Sequence, residues 1–460
     1  MTLLTYYPSM ASFLKAFVIF FSFSVISSAG ALATESGIPP APQSAAEKAI
    51  VNPSDSLFMA VITGNTDLVR TLISQGIDLN IKDEKGWTPL DYAGKRNRGE
   101  IRAILLEHGA RTFTKNIPDM VEGPHVMVID SLRFEVAVLK HDNGTGCSSV
   151  KRDTVWTRDL PYPMGGFLIE PEDLDFDAEN GPKESSWSDI RKIFVVGDIH
   201  GEYDRVAGLL TNNRIIDKEG NWNWGKGHLV FMGDIFDRGS KVTETFWLII
   251  KLEKQAEKAG GKVHMLLGNH EPMIFKGDLR YITDEYYALC NNLGLDYSGL
   301  FSEKTLLGHW IRQSPVMIRI NRFAFIHGGL SPELYNLKLP ADTMNYIVRQ
   351  YFNNTEAERD MEKRKIILGT NGILWYRGMA DDGSRGEIID DITLNRALGF
   401  YGADVFVIGH TEVDSITTFL DKRVIDVNIP KRDSNVEEQG LLIRGRKVQV
   451  VYNSKRKRIL

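Results

Sequence analysis

Five short apolar runs, each followed at once by glycine together with Asp, Asn or His, constrain this chain more than any other feature of its 460 residues. They are Ile193-Phe194-Val195-Val196, Leu229-Val230-Phe231-Met232, Val263-His264-Met265-Leu266-Leu267, Phe323-Ala324-Phe325-Ile326 and Val405-Phe406-Val407-Ile408. Runs of this length and apolarity suit strands buried on both faces and packed between other layers. Helical stretches alternate with them, so the expected fold is a layered α/β (α+β) sandwich of sheets flanked by helices. In such sheets ligands sit beyond the carboxyl ends of strands, and five separate stretches can converge on one crevice. The glycines let the backbone turn sharply and approach a bound ion.

The polar ends read Gly197-Asp198-Ile199-His200-Gly201, Gly233-Asp234-Ile235-Phe236-Asp237-Arg238-Gly239, Gly268-Asn269-His270-Glu271, His327-Gly328-Gly329 and Gly409-His410-Thr411. Asp, Asn and His supply oxygen and imidazole nitrogen without thiolate. That donor set suits Mn, Fe, Zn or Mg more than a structural zinc. A single buried histidine is more often a satisfied core residue than a ligand. Five such motifs in order, each at a strand end, point to one metal-binding crevice.

The N-terminal part is organised differently. Lys15 precedes an apolar run from Ala16 to Ile26, then small residues and Ala31-Leu32-Ala33. This is the order of a secretory signal, with cleavage expected after Ala33. The run falls short of the roughly 20 apolar residues that span a bilayer. Residues 1–33 therefore read as a signal peptide and residues 34–50, rich in Ala, Pro and Ser, as a linker. The mature chain is expected to be exported, periplasmic or secreted, with no stable membrane span. With 55 basic and 60 acidic residues there is no bias toward nucleic acid. Cys147 and Cys290 are the only cysteines, too few for a disulfide framework even after export.

Residues 51–113 repeat at an offset of 33 positions. Leu57-Phe58-Met59-Ala60 aligns with Leu90-Asp91-Tyr92-Ala93, and Leu72, Ile73 and Gly76 align with Leu105, Leu106 and Gly109. With Gly86-Trp87-Thr88-Pro89-Leu90, this resembles two ankyrin repeats, a small all-α segment. One helix pair cannot bury its apolar face alone, and about three repeats are usually needed for independent stability. Two repeats must lean on the next domain or on a protein partner, and both readings stay open.

The first three polar motifs together resemble the signature of the phosphoprotein phosphatase family within the calcineurin-like metallophosphoesterases. The resemblance spans roughly residues 120–452, within a catalytic domain set at 120–455. It implies two divalent metal ions, manganese favoured, with Asp198, His200 and Asp234 on one. Asp234, Asn269, His327 and His410 would hold the second, Asp234 bridging. The implied reaction is hydrolysis of a phosphate monoester by a hydroxide shared between the metals. In the same pattern His270 is the general acid, Asp237 orients it, and Arg238 and Arg377 grip phosphate oxygens, with Tyr376 beside them at the substrate. Glu271 suits a structural role better than a catalytic one.

Trp375-Tyr376-Arg377-Gly378, His327-Gly328-Gly329-Leu330-Ser331-Pro332, Gly277-Asp278-Leu279-Arg280-Tyr281 and Glu122-Gly123-Pro124-His125-Val126 look like the bacterial-type Shewanella-like protein phosphatases. Pro272 departs from the pattern, where a small aliphatic residue is expected. The resemblance implies a phosphoprotein substrate, with phosphotyrosine favoured and serine or threonine open. Trp375, Tyr376, Tyr281, Tyr286 and Tyr287 are candidate walls of a slot for a phenyl ring, with core packing as the competing reading. Two other functions stay in view: a nucleotide or diadenosine-polyphosphate hydrolase, and an ankyrin-based scaffold with a non-catalytic phosphatase-like domain. No candidate ligand lies in the repeats, so they are expected to be dispensable for hydrolysis of a small aryl phosphate.

Overall fold

The computed structural model describes residues 53–112, 117–164, 166–176, 184–353, 361–380, 387–430 and 435–460. The expected signal and linker, residues 1–33 and 34–50, lie outside the described residues. The described chain opens with two helix pairs, α1 (Pro53–Thr63) with α2 (Thr66–Ser74) and α3 (Pro89–Lys95) with α4 (Gly99–Glu107). Helix α3 starts where its sequence dictates. The Thr88 hydroxyl accepts from the Asp91 N–H, the Asp91 carboxylate accepts from the Thr88 N–H, and Pro89 fills the first turn. Leu57, Val69, Leu72, Leu90, Ile101 and Leu105 close a small core between the pairs. Leu57 and Leu90, and Leu72 and Leu105, are the positions that the repeat aligns.

Strands β1 (Met120–Asp130), β2 (Arg133–Asp142) and β3 (Cys147–Trp156) form an antiparallel sheet of three. β1 and β2 make a hairpin, and the turn after Asp142 adds the third strand to it. Strands β4 (Tyr162–Met164) and β5 (Phe167–Ile169) make a small hairpin.

Two six-stranded sheets follow. Their strands are β6 (Ser186–Trp187), β7 (Lys192–Val196), β8 (His228–Phe231), β9 (Lys262–Met265), β10 (Met317–Ile320), β11 (Phe323–Ile326), β12 (Val405–Ile408), β13 (Thr417–Phe419), β14 (Val424–Asp426), β15 (Gln439–Arg444), β16 (Lys447–Tyr452) and β17 (Lys457–Ile459). One sheet runs β13-β14-β12-β11-β10-β6 and the other β17-β16-β15-β7-β8-β9. Strands β7, β8 and β9 are mutually parallel, as β11, β12 and β14 are. Helices α5 (Tyr203–Asn212) and α6 (Val242–Lys258) provide the crossovers between β7, β8 and β9.

Alternate residues explain the unbroken apolar runs. Ile193, Val195, Val230, Phe323, Phe325, Val405, Val407, Leu441 and Ile443 pack in the core between the sheets. Phe194, Val196, Leu229, Phe231, Ile326, Phe406 and Ile408 belong to the second core, which includes the flanking helices. Helix α6 alone buries Val242, Phe246, Ile249, Ile250 and Leu252 there, each worth about 1.5–3 kcal/mol when fully buried. Both cysteines are free, Cys147 exposed and Cys290 buried. Among the described residues no helix is long and apolar enough to cross a membrane.

Candidate active site

Backbone hydrogen bonds tie the strand ends together. The Ile199 and His200 amides donate to Asp234 O, the Gly201 amide donates to Ile235 O, and the Gly409 amide donates to His327 O. The segment is bent sharply at the residues that carry polar groups. His200, Asp234, Asp237, Arg238 and His410 all have positive φ, between 51 and 72°. Each such residue costs about 1–3 kcal/mol and persists only where its surroundings over-determine it. All five belong to the site expected from the sequence. Glycine makes room for the carboxylates: a Cβ at Gly268 would lie 2.1 Å from Asp234 Oδ1, and one at Gly409 would lie 2.6 Å from Asp198 Oδ1.

Asp198, His200, Asp234, Asn269, His327 and His410 are buried together. His200, Asp234 and His270 form one donor group, and Asp234, His327 and His410 a second; within each group the ligand atoms lie within 4.8 Å of one another. Asp234 belongs to both. Its Oδ2 is 3.2 Å from His327 Nε2 and 3.8 Å from both His200 Nε2 and His270 Nε2. Asn269 Oδ1 is 3.1 Å from His327 Nε2. Asp198 approaches His327 Nδ1 at 4.0 Å and accepts from the His410 amide.

The imidazoles are oriented by carbonyls behind them. His200 Nδ1 donates to Phe236 O at 2.9 Å and His327 Nδ1 to Met232 O at 2.8 Å, which leaves both Nε2 atoms toward Asp234. His410 is turned the other way, Nε2 donating to Trp375 O at 3.1 Å, so its Nδ1 is the free donor. Carbonyl-fixed tautomers of this kind are how ligating histidines are held. Burial alone would lower the pKa of His327, but the Asp234 and Asp198 carboxylates override it and lift it to about 9. Burial keeps His200 and His410 well below 6.5. A pocket that binds a proton so tightly beside two neutral imidazoles and shared carboxylate oxygen fits a pair of divalent cations.

His270 Nδ1 pairs with the Asp237 carboxylate, and His270 Nε2 faces Asp234. Burial opposes protonation of His270, but Asp234 and the Asp237 hydrogen bond raise its pKa above 6.5. Arg238 is exposed at the rim, its amide donating to Tyr281 O at 2.9 Å. Arg377 donates from Nη1 to His410 O at 2.6 Å. Tyr376 differs from the substrate-binding role expected of it: it is buried, and its hydroxyl donates to Glu387 O at 2.8 Å. Of the other aromatic residues, Tyr286 and Tyr287 are buried in the core, while Tyr281 is 42% exposed and stands 5.4 Å from the His270 ring. Trp375 lies edge-on to His410 at 5.7 Å.

Two residues have more to do than the sequence suggested. Glu271 accepts three backbone N–H groups, from Gly268 at 2.7 Å, Ile235 at 2.8 Å and Asp234 at 3.1 Å, stapling two motif loops together. Asp426 was passed over. It is fully buried, which pushes its carboxyl well above the usual range, and it feels the charges of Asp198, Arg377 and His327. Its signal was available: Val424-Ile425-Asp426 repeats the pattern of an apolar strand ending in a ligand-type residue. Pro272 falls in the first turn of helix α7 (His270–Phe275), where proline is tolerated. It lines a cleft of about 180 Å³ that opens between Asn269 and Trp375, with Phe352 and Leu368 on its walls and Lys276 and Arg280 also lining it.

Parallel strands that deliver His, Asp and Asn to one shared carboxylate, with an exposed arginine at the rim, define a metallophosphoesterase, a hydrolase of phosphate esters. The chain carries a calcineurin-like phosphoesterase domain, matched over residues 191–414, and ankyrin repeats, matched over residues 40–116 by a family pattern of three copies. It is similar to Shewanella-like protein phosphatase 1 of Plasmodium berghei, 26% identical over 257 residues, which cover 55% of this chain and 70% of the relative. Shewanella-like protein phosphatase 2 of Arabidopsis thaliana is 24% identical over 299 residues, covering 56% and 74%. Among solved structures, the cold-active protein-tyrosine phosphatase of a psychrophilic Shewanella species superposes with a TM-score of 0.63 at 28% identity. That match covers 74% of this chain and 99% of the other.

Proposed function

We propose that the protein is an exported, dimetal phosphoprotein phosphatase that favours phosphotyrosine. Asp198, His200 and Asp234 would hold one cation and Asp234, Asn269, His327 and His410 the other, manganese being the favoured metal. Bound there, two divalent cations supply an activated water and neutralise the phosphate oxygens. The chain's own residues do the rest. Arg238, exposed and fork-shaped, grips the phosphate from the rim. Arg377 is held against the His410 carbonyl beside the centre and adds positive charge there. His270, its pKa raised by Asp234 and Asp237, would donate a proton to the departing phenoxide or alkoxide.

The observation that carries this reading is the buried His270–Asp237 pair set directly against the carboxylate common to both donor groups. The cleft beside Asn269 and Trp375 supports the tyrosine preference, because Pro272, Met273, Phe352, Leu368, Leu374 and Trp375 offer a phenyl ring apolar surface there. Tyr281 and Trp375 flank this region; Tyr286, Tyr287 and Tyr376 do not serve as its walls. The tyrosine-phosphatase neighbour points the same way.

Matched peptides carrying phosphotyrosine, phosphoserine or phosphothreonine, assayed beside a diadenosine polyphosphate, test the substrate class. The highest kcat/KM is expected for phosphotyrosine. Faster turnover of phosphoserine or of the dinucleotide would overturn the substrate assignment. Asp234→Asn should take both activity and bound metal toward background, since one change weakens two sites. A variant with full metal content and near-normal turnover would remove the bridging role.

A further inference from the structure

Among the described residues the ankyrin repeats meet the catalytic domain at residues 276–287, with residues 290–297 across a shared cavity, and residues 276–287 are also attached to the candidate active site. On the repeat side, Lys95 O accepts from the Leu279 amide at 2.9 Å, and Asn97 Nδ2 donates to Lys276 O at 2.6 Å. Lys95 Nζ meets Asp284 at 2.9 Å, both side chains mostly shielded from water, and also lies 5.2 Å from the Trp87 ring. The Tyr287 hydroxyl donates to Asp91 O at 3.0 Å, and its ring packs edge-on against Trp87 at 5.3 Å.

On the other side, the Tyr281 carbonyl holds the amide of Arg238, and the Tyr281 ring stands beside His270. The Tyr286 hydroxyl donates to Ser240 O at 2.6 Å and accepts from the Val242 amide at 3.1 Å. Adjacent tyrosines thus face opposite ways, Tyr287 into the repeat and Tyr286 into the turn that follows Arg238. Lys276, Asp278 and Arg280 of the same segment line the cleft next to Asn269.

We propose that the second ankyrin repeat is a working part of the phosphatase site: Lys95, Asn97 and the Asp91 carbonyl are positioning groups that fix residues 276–287, and through them Arg238 and the cleft wall. Arg238 has φ of 68°, a conformation that its surroundings must impose. The hydrogen bond from its N–H to the Tyr281 carbonyl and the Tyr286 contacts to Ser240 and Val242 are part of that imposition. The proposal rests on the phosphate-gripping role of Arg238 given above. It reverses the expectation that the repeats are dispensable for a small substrate. The physical reason is that the contact falls on the segment that follows the catalytic histidine, not on a remote face.

Gly94→Ala in the full chain is a wedge at this contact. A Cβ there would meet the Tyr287 hydroxyl oxygen at 2.3 Å, whereas the next ring atom lies at 3.4 Å. Alanine also favours the helix, so the repeat itself should not be weakened. With an aryl phosphate, kcat/KM should fall about tenfold or more, chiefly through KM, at unchanged metal content. The double variant Gly94→Ala/Tyr287→Phe, which removes the clashing oxygen, should return to the value of Tyr287→Phe alone. Hydrogen exchange of the Arg238–Val242 amides, read on the same samples, should speed up in Gly94→Ala and return in the double variant. If Gly94→Ala does not fold, Lys95→Met against Lys95→Arg decides: Met should show the same loss and Arg should retain activity. Unchanged exchange and unchanged kcat/KM in a folded Gly94→Ala, or in Lys95→Met, would overturn the proposal. Faster exchange with unchanged turnover would instead remove the phosphate-gripping role of Arg238, leaving the mechanical link in place.

Discussion

His270 and Asp234 share a neighbourhood but should respond differently to substitution. Asp234 is common to both donor groups, whereas His270 is held by Asp237 on one nitrogen and presents the other to the reacting centre. Since the proposed ligand set leaves His270 out, His270→Asn should keep its metals while turnover falls by about 10²–10⁴. The loss should shrink along a series of aryl phosphates as the leaving group becomes more acidic, because a good leaving group needs little protonation. A loss equal across the series would exclude His270 as the acid. Glu271 belongs to a different category. Its carboxylate is fully buried, its pKa raised by burial and by Asp234 to about 7, and it anchors three amides. Glu271→Ala strands those donors, at about 1–3 kcal/mol each. Chemical denaturation should show a loss of about 3 kcal/mol or more, and a loss below 1 kcal/mol would mean that the loops hold without it.

At the scale of elements, helix α6 carries a pH-dependent weakness. Glu244 lies in its first turn, its Oε2 is buried without a hydrogen-bond partner, and burial, with a smaller push from Glu122, raises its pKa to about 7. The folded chain thus keeps a proton that the unfolded chain releases near its ordinary value of 4.5. Between those values the native state binds more protons, so this residue's contribution to stability falls as pH rises from about 4.5 to about 7. Glu244→Gln retains the shape and removes the titration. Subtracting its unfolding free energy from that of the wild type across this range should leave a downward slope; a flat difference would show that Glu244 is already ionised in the fold.

For the whole molecule, the second repeat and the catalytic domain are joined by hydrogen bonds, an ion pair and ring packing around Tyr287. The repeats thus lean on the catalytic domain at this contact, one of the two supports that a short repeat array calls for. The N-terminal segment adds a prediction of another kind. If residues 1–33 direct export, mass spectrometry of the protein recovered from a secreting host should find an N-terminus at residue 34. A retained Met1 in the exported fraction would refute cleavage at Ala33.

Much of the site was legible because its logic is local. An unbroken apolar run must be a strand covered on both faces, and Gly-Asp or Gly-Asn at its end is a turn that brings oxygen close to a cation. That Asp198, Asp234 and Asn269 would meet in one crevice follows from that pattern, their assignment to metals from the family resemblance, and the offset of Leu57 and Leu90 made the repeats visible as well. What the chain order could not reveal is which way a side chain points once layers meet. Tyr376 and Tyr281 look alike in sequence as aromatic neighbours of site motifs, yet one is sealed under Glu387 and the other stands beside His270. Asp426, at the end of β14, feels the charges of Asp198 and His327, and nothing near it in sequence names those neighbours. Tyr287 touches Asp91, 196 positions away. Contacts at such separations depend on how the sheets, the helices and the repeats pack, because a burial choice at one residue is settled by surfaces contributed from elsewhere. That packing alone decided that the repeats lean on the segment that stands beside His270.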